Sequence, residues 1–288
     1  MGKNMYRFWS LLFFLVPILG VGICLYSALG IYPLEQTWLP PDISESGKEI
    51  DGAFLVVMWI IGVVFLATGI FLAWAMWSYS HSPGRKAAYS HGNTRLEVAW
   101  SVIPGIILIG IFVYQNIYWE KQKINRPLQT LSDGTQALVD PIVRVVAHKF
   151  GWQFWYAGQD AELGTYDDFM LENELYLPMD QSIVLQLESV DVLHSFYLRH
   201  LRIKQDLVPG KQQYVWFKIQ SNKVQKDRIY DILCAELCGW GHSRMNGRLY
   251  PLTREEHSKF LARQHGLQNG FAESTAESGA SRKGTETP

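Results

Sequence analysis

The 288-residue chain carries 26 Lys and Arg against 27 Asp and Glu, a formal net charge of −1. That length suffices for one sizeable domain plus further elements, and that charge excludes a protein that grips nucleic acid by bulk electrostatics. Eleven tryptophans and fourteen phenylalanines are unevenly spread, so the chain is not uniform along its length.

Three segments contain no Asp, Glu, Lys or Arg: residues 8–31, 52–80 and 98–119. A helix that crosses the hydrocarbon core needs about 20 apolar residues, and the second and third segments supply them. The first has two readings. Lys3 and Arg7 precede it as they would a signal peptide, and Ala28-Leu29-Gly30 offers a small-x-small cleavage site. Its apolar run exceeds the ~7–15 residues of a signal core, which favours a retained helix. Cys24 inside it reads as a small apolar residue. Basic residues set the orientation. Residues 32–51 hold Lys48 against Glu35, Asp42, Glu45, Glu49 and Asp51, whereas 81–96 hold Arg85, Lys86 and Arg95. The N-terminus is therefore expected inside, 32–51 outside, 81–96 inside, and everything after Trp119 outside.

Residues 120–141 read as a linker broken by Pro127, Asp133-Gly134 and Asp140-Pro141. Beyond it the period changes to two. Short runs rich in β-branched and aromatic residues lie at 143–147, 174–177, 183–187, 214–219 and 230–233, punctuated by Pro178, Pro209-Gly210 and Ser221-Asn222. This spacing predicts a β-sandwich or barrel. One closing helix is expected over 253–264. From Gly266 on, Gly, Ser, Glu and Thr dominate, which predicts an unstructured tail. The expected divisions are 1–51 (apolar segment and outer loop), 52–119 (two spanning helices), 120–141 (linker), 142–264 (β domain) and 265–288 (tail).

The stretch CAELCGWGHSRM concentrates soft donors: Cys234, Cys238, His242 and Met245, with Glu236 between the cysteines. A disulfide would explain the cysteines but not His242 or Met245. A structural zinc site has no use for methionine, whereas a thioether points to copper. Two thiolates can bridge two copper ions, and each ion then wants an imidazole and a weaker donor. A second histidine must come from elsewhere. His194, in SVDVLHSFYL, follows a β-branched run and is the candidate. His200 is flanked by Arg199 and Arg202, and His148 by Lys149; neighbouring positive charge disfavours a cationic centre.

In these residues the chain resembles subunit II of a haem–copper oxidase of the cytochrome c type. The resemblance runs over residues 50–262: two helices, HGNTRLEVAWSVIP, the aromatic strand FGWQFWYAG, the His194 stretch and the CAELCGWGHSRM loop. It implies a membrane helical hairpin, with an extra N-terminal helix if the first segment is retained, followed by a cupredoxin-like Greek-key sandwich with a binuclear CuA centre. Carried over, Cys234 and Cys238 bridge both coppers, His194 and His242 cap one each, and Met245 and the Glu236 carbonyl are the weak donors. The Glu236 side chain would hold a Mg or Mn ion shared with subunit I. Quinol-oxidising relatives lack these ligands.

The resemblance also implies an aromatic residue that receives the electron. The family places a tryptophan directly after the glutamine of the strand; here Phe154 stands there, with Trp152 and Trp155 on either side. Trp155 is the first candidate and Trp152 the second. Residues 151–198 hold Asp160, Glu162, Asp167, Asp168, Glu172, Glu174, Asp180, Glu188 and Asp191 with no Lys or Arg, an acidic face that would steer a basic cytochrome c. Asp206, in KQDLVPG, matches a family docking position. Glu97 reads either as a helix-start carboxylate or, by resemblance, as the inner mouth of a proton pathway shared with subunit I. No C-x-x-C-H is present, so the donor haem belongs to a separate protein. The expected setting is the inner membrane of a bacterial-type cell, with the C-terminal domain on the periplasmic side. The rival readings are a CuA subunit feeding a nitric oxide reductase and a copper-binding assembly protein without electron transfer.

Overall fold

Apolar length decides the first elements. The computed structural model, which describes residues 3–31, 38–81, 84–86 and 88–267, has α1 (Lys3–Ala28), α2 (Gly47–Ser78) and α3 (Thr94–Trp119). Each is long and apolar enough to cross a bilayer. Their apolar side chains stay largely exposed, and α3 buries none. A surface of that kind suits lipid rather than water.

α1 packs closely on α2. Gly69 lacks the Cβ that would collide with the Pro17 ring and lie 2.8 Å from the Phe13 carbonyl oxygen. Ser10, itself buried, donates its hydroxyl to the Ala73 carbonyl at 2.7 Å. α3 opens on an Asn93 cap, whose side-chain oxygen accepts from the Arg95 and Leu96 N–H groups at 3.1 and 3.2 Å. Glu97 sits in the first turn, where the helix dipole favours a carboxylate.

The expected linker is partly ordered. A π-turn over Glu120–Ile124 extends α3. β1 (Leu128–Thr130) and β2 (Gln136–Leu138) then form a hairpin. Asp133-Gly134 makes its turn: Gly134 takes φ +82°, and Asp133 Oδ1 accepts from the Thr135 N–H at 2.9 Å. Asp133-Gly134, expected to break the linker, serves as a hairpin turn.

The sandwich follows, as β3 (Val143–His148), β4 (Gly151–Tyr156), β5 (Phe169–Glu172), β6 (Glu174–Pro178), β7 (Ser182–Ser189), β8 (His194–Leu198), β9 (Ile203–Leu207), β10 (Gln213–Lys218), β11 (Tyr230–Cys234) and β12 (Asn246–Leu252). A helix over 254–267, α4, closes it. The expected tail lies outside the described residues from 268 on. One sheet has the order β10-β7-β3-β4-β5 and the other β6-β12-β11-β8-β9. β3 with β7 and β6 with β12 are parallel pairs, and the other pairs are antiparallel. Period-two alternation fills the space between them with Val143, Val145, Trp152, Phe154, Leu185, Leu187, Phe196 and Ile232, all fully buried.

Residues 42–46, expected as outer loop, are built into this sandwich. Ile43 is fully buried in its core. The Ile43 N–H donates to the His200 carbonyl at 2.9 Å, and the Ile43 carbonyl accepts from the Gln220 N–H at 2.9 Å. Asp42 accepts from the Ser44 N–H and hydroxyl, both at 2.8 Å, and from Lys223 Nζ at 2.7 Å. Burial pushes the Asp42 carboxyl upward, but Lys223 and Ser44 outweigh it and hold it below its ordinary value.

Candidate metal centre

Strand register builds the site. β8 and β11 are antiparallel neighbours, with Cys234 opposite Phe196 and Leu233 opposite Tyr197. His194 opens β8 and Cys234 ends β11, so both stand at the same end of the sheet. The Ala235 N–H donates to the Ser195 carbonyl at 3.0 Å and holds that end closed. The chain then loops through Cys238 and a 3₁₀ turn at His242–Arg244 before β12. The His242 N–H to Gly239 carbonyl bond (3.1 Å) and the Met245 N–H to His242 carbonyl bond (3.3 Å) fold the loop back on itself. Gly239 adopts φ +136°, and a Cβ on Gly241 would enter the Phe150 ring at 2.5 Å. Both glycines are therefore required.

The donors converge. Cys234 Sγ lies 3.9 Å from His194 Nδ1, 3.9 Å from Cys238 Sγ and 3.2 Å from the Glu236 carbonyl oxygen. Cys238 Sγ lies 3.7 Å from His242 Nδ1 and 3.8 Å from Met245 Sδ. The sulfurs are far beyond the ~2.05 Å of a disulfide, and both cysteines are free. Thiolate and imidazole donors at about 2.0–2.3 Å from one ion stand roughly 3.5 Å apart at the tetrahedral angle. The observed spacings fit that.

His194 is fully buried, and its Nε2 meets Asp191 Oδ1 at 2.8 Å. That contact turns Nδ1 toward the sulfurs and fixes the ring. Asp191 is further held by the Lys149 N–H at 2.7 Å. Burial alone would depress the His194 imidazole, but Cys234 and Asp191 hold it above its ordinary value. Burial would raise Cys234, yet hydrogen bonding from His194 and the backbone at Ser195 and Glu236 brings it below. Cys238 is pushed up by burial and then by Cys234 beside it.

All six ligand positions named from sequence, His194, Cys234, Glu236, Cys238, His242 and Met245, come together here. His200 instead packs edge-on against Tyr230 at 4.9 Å, and His148 lies 3.9 Å from Glu172. The two strand tryptophans face opposite ways. Trp152 is fully buried with its ring 6.4 Å from His194. Trp155 lies on the outer face beneath the Arg144 guanidinium at 5.3 Å. The acidic run divides. Asp167 accepts from the Gln159 N–H and Asp168 from the Gly164 N–H, so both shape a loop after Tyr156, at the end of β4 away from the Gly151 turn. Asp191 stands at the site itself, and Asp206 is exposed in β9 opposite Ser195. Sequence reasoning did not assign Asp191 or Phe150 to the site; the Asp-x-x-His spacing before His194 was the available signal for the first.

A membrane-anchored cupredoxin-like domain with a two-thiolate, two-imidazole, thioether cluster is the class that this fold and site define. The transmembrane-domain profile of cytochrome c oxidase subunit II matches residues 35–115, and the periplasmic-domain profile matches 144–249. The chain belongs to the cytochrome c oxidase subunit II family. It is 29% identical over 266 residues to an alternative cytochrome c oxidase subunit 2 of Bradyrhizobium diazoefficiens, covering 84% of this chain and 90% of the relative. It is 31% identical to a cytochrome c oxidase subunit 2 of Alkalihalophilus pseudofirmus over 72% of this chain and 55% of that one. The crystal structure of the periplasmic domain of subunit II of cytochrome oxidase of Bradyrhizobium japonicum aligns with TM-score 0.37 and 21% identity, over 44% of this chain and 94% of that domain. The family makes the chain part of an oxidoreductase complex with a haem-binding subunit I. It favours the oxidase reading over a nitric oxide reductase subunit or an assembly protein.

Proposed function

We propose that the chain takes single electrons from a separate c-type cytochrome and passes them to a haem of subunit I, where oxygen is reduced to water with proton translocation. The observation that carries this is the convergence of His194, Cys234, Cys238, His242 and Met245 around two unbonded sulfurs 3.9 Å apart. His194, Cys234, Cys238, His242 and Met245 would hold a binuclear copper (CuA) centre, which would supply a one-electron store. The protein's part is to hold the donors still. Asp191 locks His194, the turn bonds fix the loop, and the buried Met245 and the Glu236 carbonyl complete the set from two sides. The chain itself supplies every donor named here, which suits electron transfer.

The Glu236 carboxylate is exposed at the edge of the site, a hard oxygen donor suited to a Mg or Mn ion shared with subunit I. Glu97, in the first turn of α3, would open a proton path on the inner side. Three membrane spans are supported by two observations. The Gly69–Pro17 notch and the buried Ser10 bond make α1 a packed partner of α2. Ile43, in the α1–α2 connection, is part of the sandwich core. The bilayer would be a bacterial inner membrane with the copper domain periplasmic.

Mixing the copper-loaded chain with reduced c-type cytochrome tests the function. One electron per chain should be taken up without release of copper. Copper handed to a chelating acceptor, with no cytochrome oxidation, would indicate an assembly protein instead.

A further inference from the structure

The outer surface of the copper loop carries two large, exposed apolar side chains. Trp240 lies between the ligands Cys238 and His242, and its side chain is 85% exposed. Leu237, just before Cys238, is 76% exposed. The Trp240 indole meets the Phe150 ring at 5.3 Å and 67°. Phe150 in turn fills the space over Gly239 and Gly241. The turn bonds at Gly239–His242 and Gly241–Arg244 fix the backbone on both sides of the indole. A large ring held out into solvent from a rigid loop is a surface made for a partner.

The strand tryptophans are worse placed for that task. Trp152 is fully buried. Trp155 lies on the outer face of β4, covered by Arg144, with its Nε1 3.4 Å from Gln153 Oε1. From Trp240, by contrast, a single glycine separates the indole-bearing residue from a metal ligand in either direction along the chain.

We propose that Trp240 is the residue through which the donor delivers its electron, with Leu237 and Phe150 forming the apolar seat around it. The partner is a reduced haem protein with an exposed haem edge set in an apolar rim. Its iron goes from ferrous to ferric, one electron passes over the indole and the adjoining peptide to the oxidised copper pair, and no proton or atom moves. This rests on the electron-transfer reading above.

The test uses the whole complex with Trp240→Phe and Trp240→Ala. Copper content, the paramagnetic signal, equilibrium binding of the oxidised donor and the rate of copper reduction at saturating donor are each measured. A small soluble reductant serves as control. Expected is a copper signal as in the parent, an unchanged rate with the small reductant, and a saturating rate from the haem protein at least tenfold lower in Trp240→Ala, with Trp240→Phe in between. If the alanine variant loses copper, Trp240→Leu, which keeps an apolar contact on Phe150, replaces it. A saturating rate within twofold of the parent overturns the proposal. So does an equal loss with both reductants, or loss of subunit I from the complex, which would make Trp240 part of the subunit interface. A parent protein that accepts no electron would instead refute the function itself.

Discussion

Replacing Ile43 by alanine will destabilise the copper domain, although this residue precedes the domain by two membrane helices in sequence. Ile43 is fully buried in the sandwich core. The change removes three carbons, about 2.4 kcal/mol of transfer free energy at ~0.8 kcal/mol each. The surrounding core relaxes only partially over the hole, so a cavity cost adds to this. The total should fall at roughly 3–4 kcal/mol, within the usual range for such truncations. Denaturant unfolding of the full chain in detergent, followed by tryptophan emission, reads it directly. Leu138→Ala, at an exposed position in β2, is the control and should cost less than about 0.5 kcal/mol. A loss below about 1 kcal/mol for Ile43→Ala would show that residues 42–46 are not part of the folded core.

The same strap carries a pH signature. The Asp42 carboxyl is held below its unfolded value, so its contribution is present above about pH 4 and is lost as pH falls through the lower, folded value. Asp42→Asn should flatten the acid limb of the stability curve and leave the neutral region lower by about 1 kcal/mol. At the site, Asp191→Asn removes the carboxylate that orients His194; copper retention against a chelator should fall roughly 10–100-fold, with the domain still folded by circular dichroism. Met245→Leu fills the same buried space and should keep both coppers while shifting the reduction potential measured by redox titration. Gly69→Leu would drive a side chain into Pro17, and cysteine cross-linking between α1 and α2 should fall sharply while the copper signal persists.

The copper ligands were legible because four soft side-chain donors, Cys234, Cys238, His242 and Met245, sit within one loop and carry chemistry that no packing role explains. His194 was separable from His200 and His148 by the charges beside them, and the register of β8 against β11 then delivers it to Cys234. Helices α2 and α3 followed from apolar length alone, and the first apolar segment, open between a signal peptide and a retained helix, forms α1. The strap at 42–46 was not legible: it is a short polar stretch with a single isoleucine, and its partners come from distant places, the end of β10 and the residues just after it, Lys223 and the His200 turn. The acidic run was read as one face because sequence counts charges without placing them. The fold sends Asp167 and Asp168 to cap their own loop and only Asp191 to the ligands. Trp152 and Trp155 were near in sequence, but odd spacing in a strand puts them on opposite faces.

Copper stoichiometry combined with electron paramagnetic resonance on the full chain decides whether the Cys234–Cys238 site holds a binuclear centre. Two coppers per chain sharing one unpaired electron, with hyperfine splitting from two equivalent nuclei, is the predicted result. A single-copper signal, bound zinc, or a disulfide between Cys234 and Cys238 would contradict it.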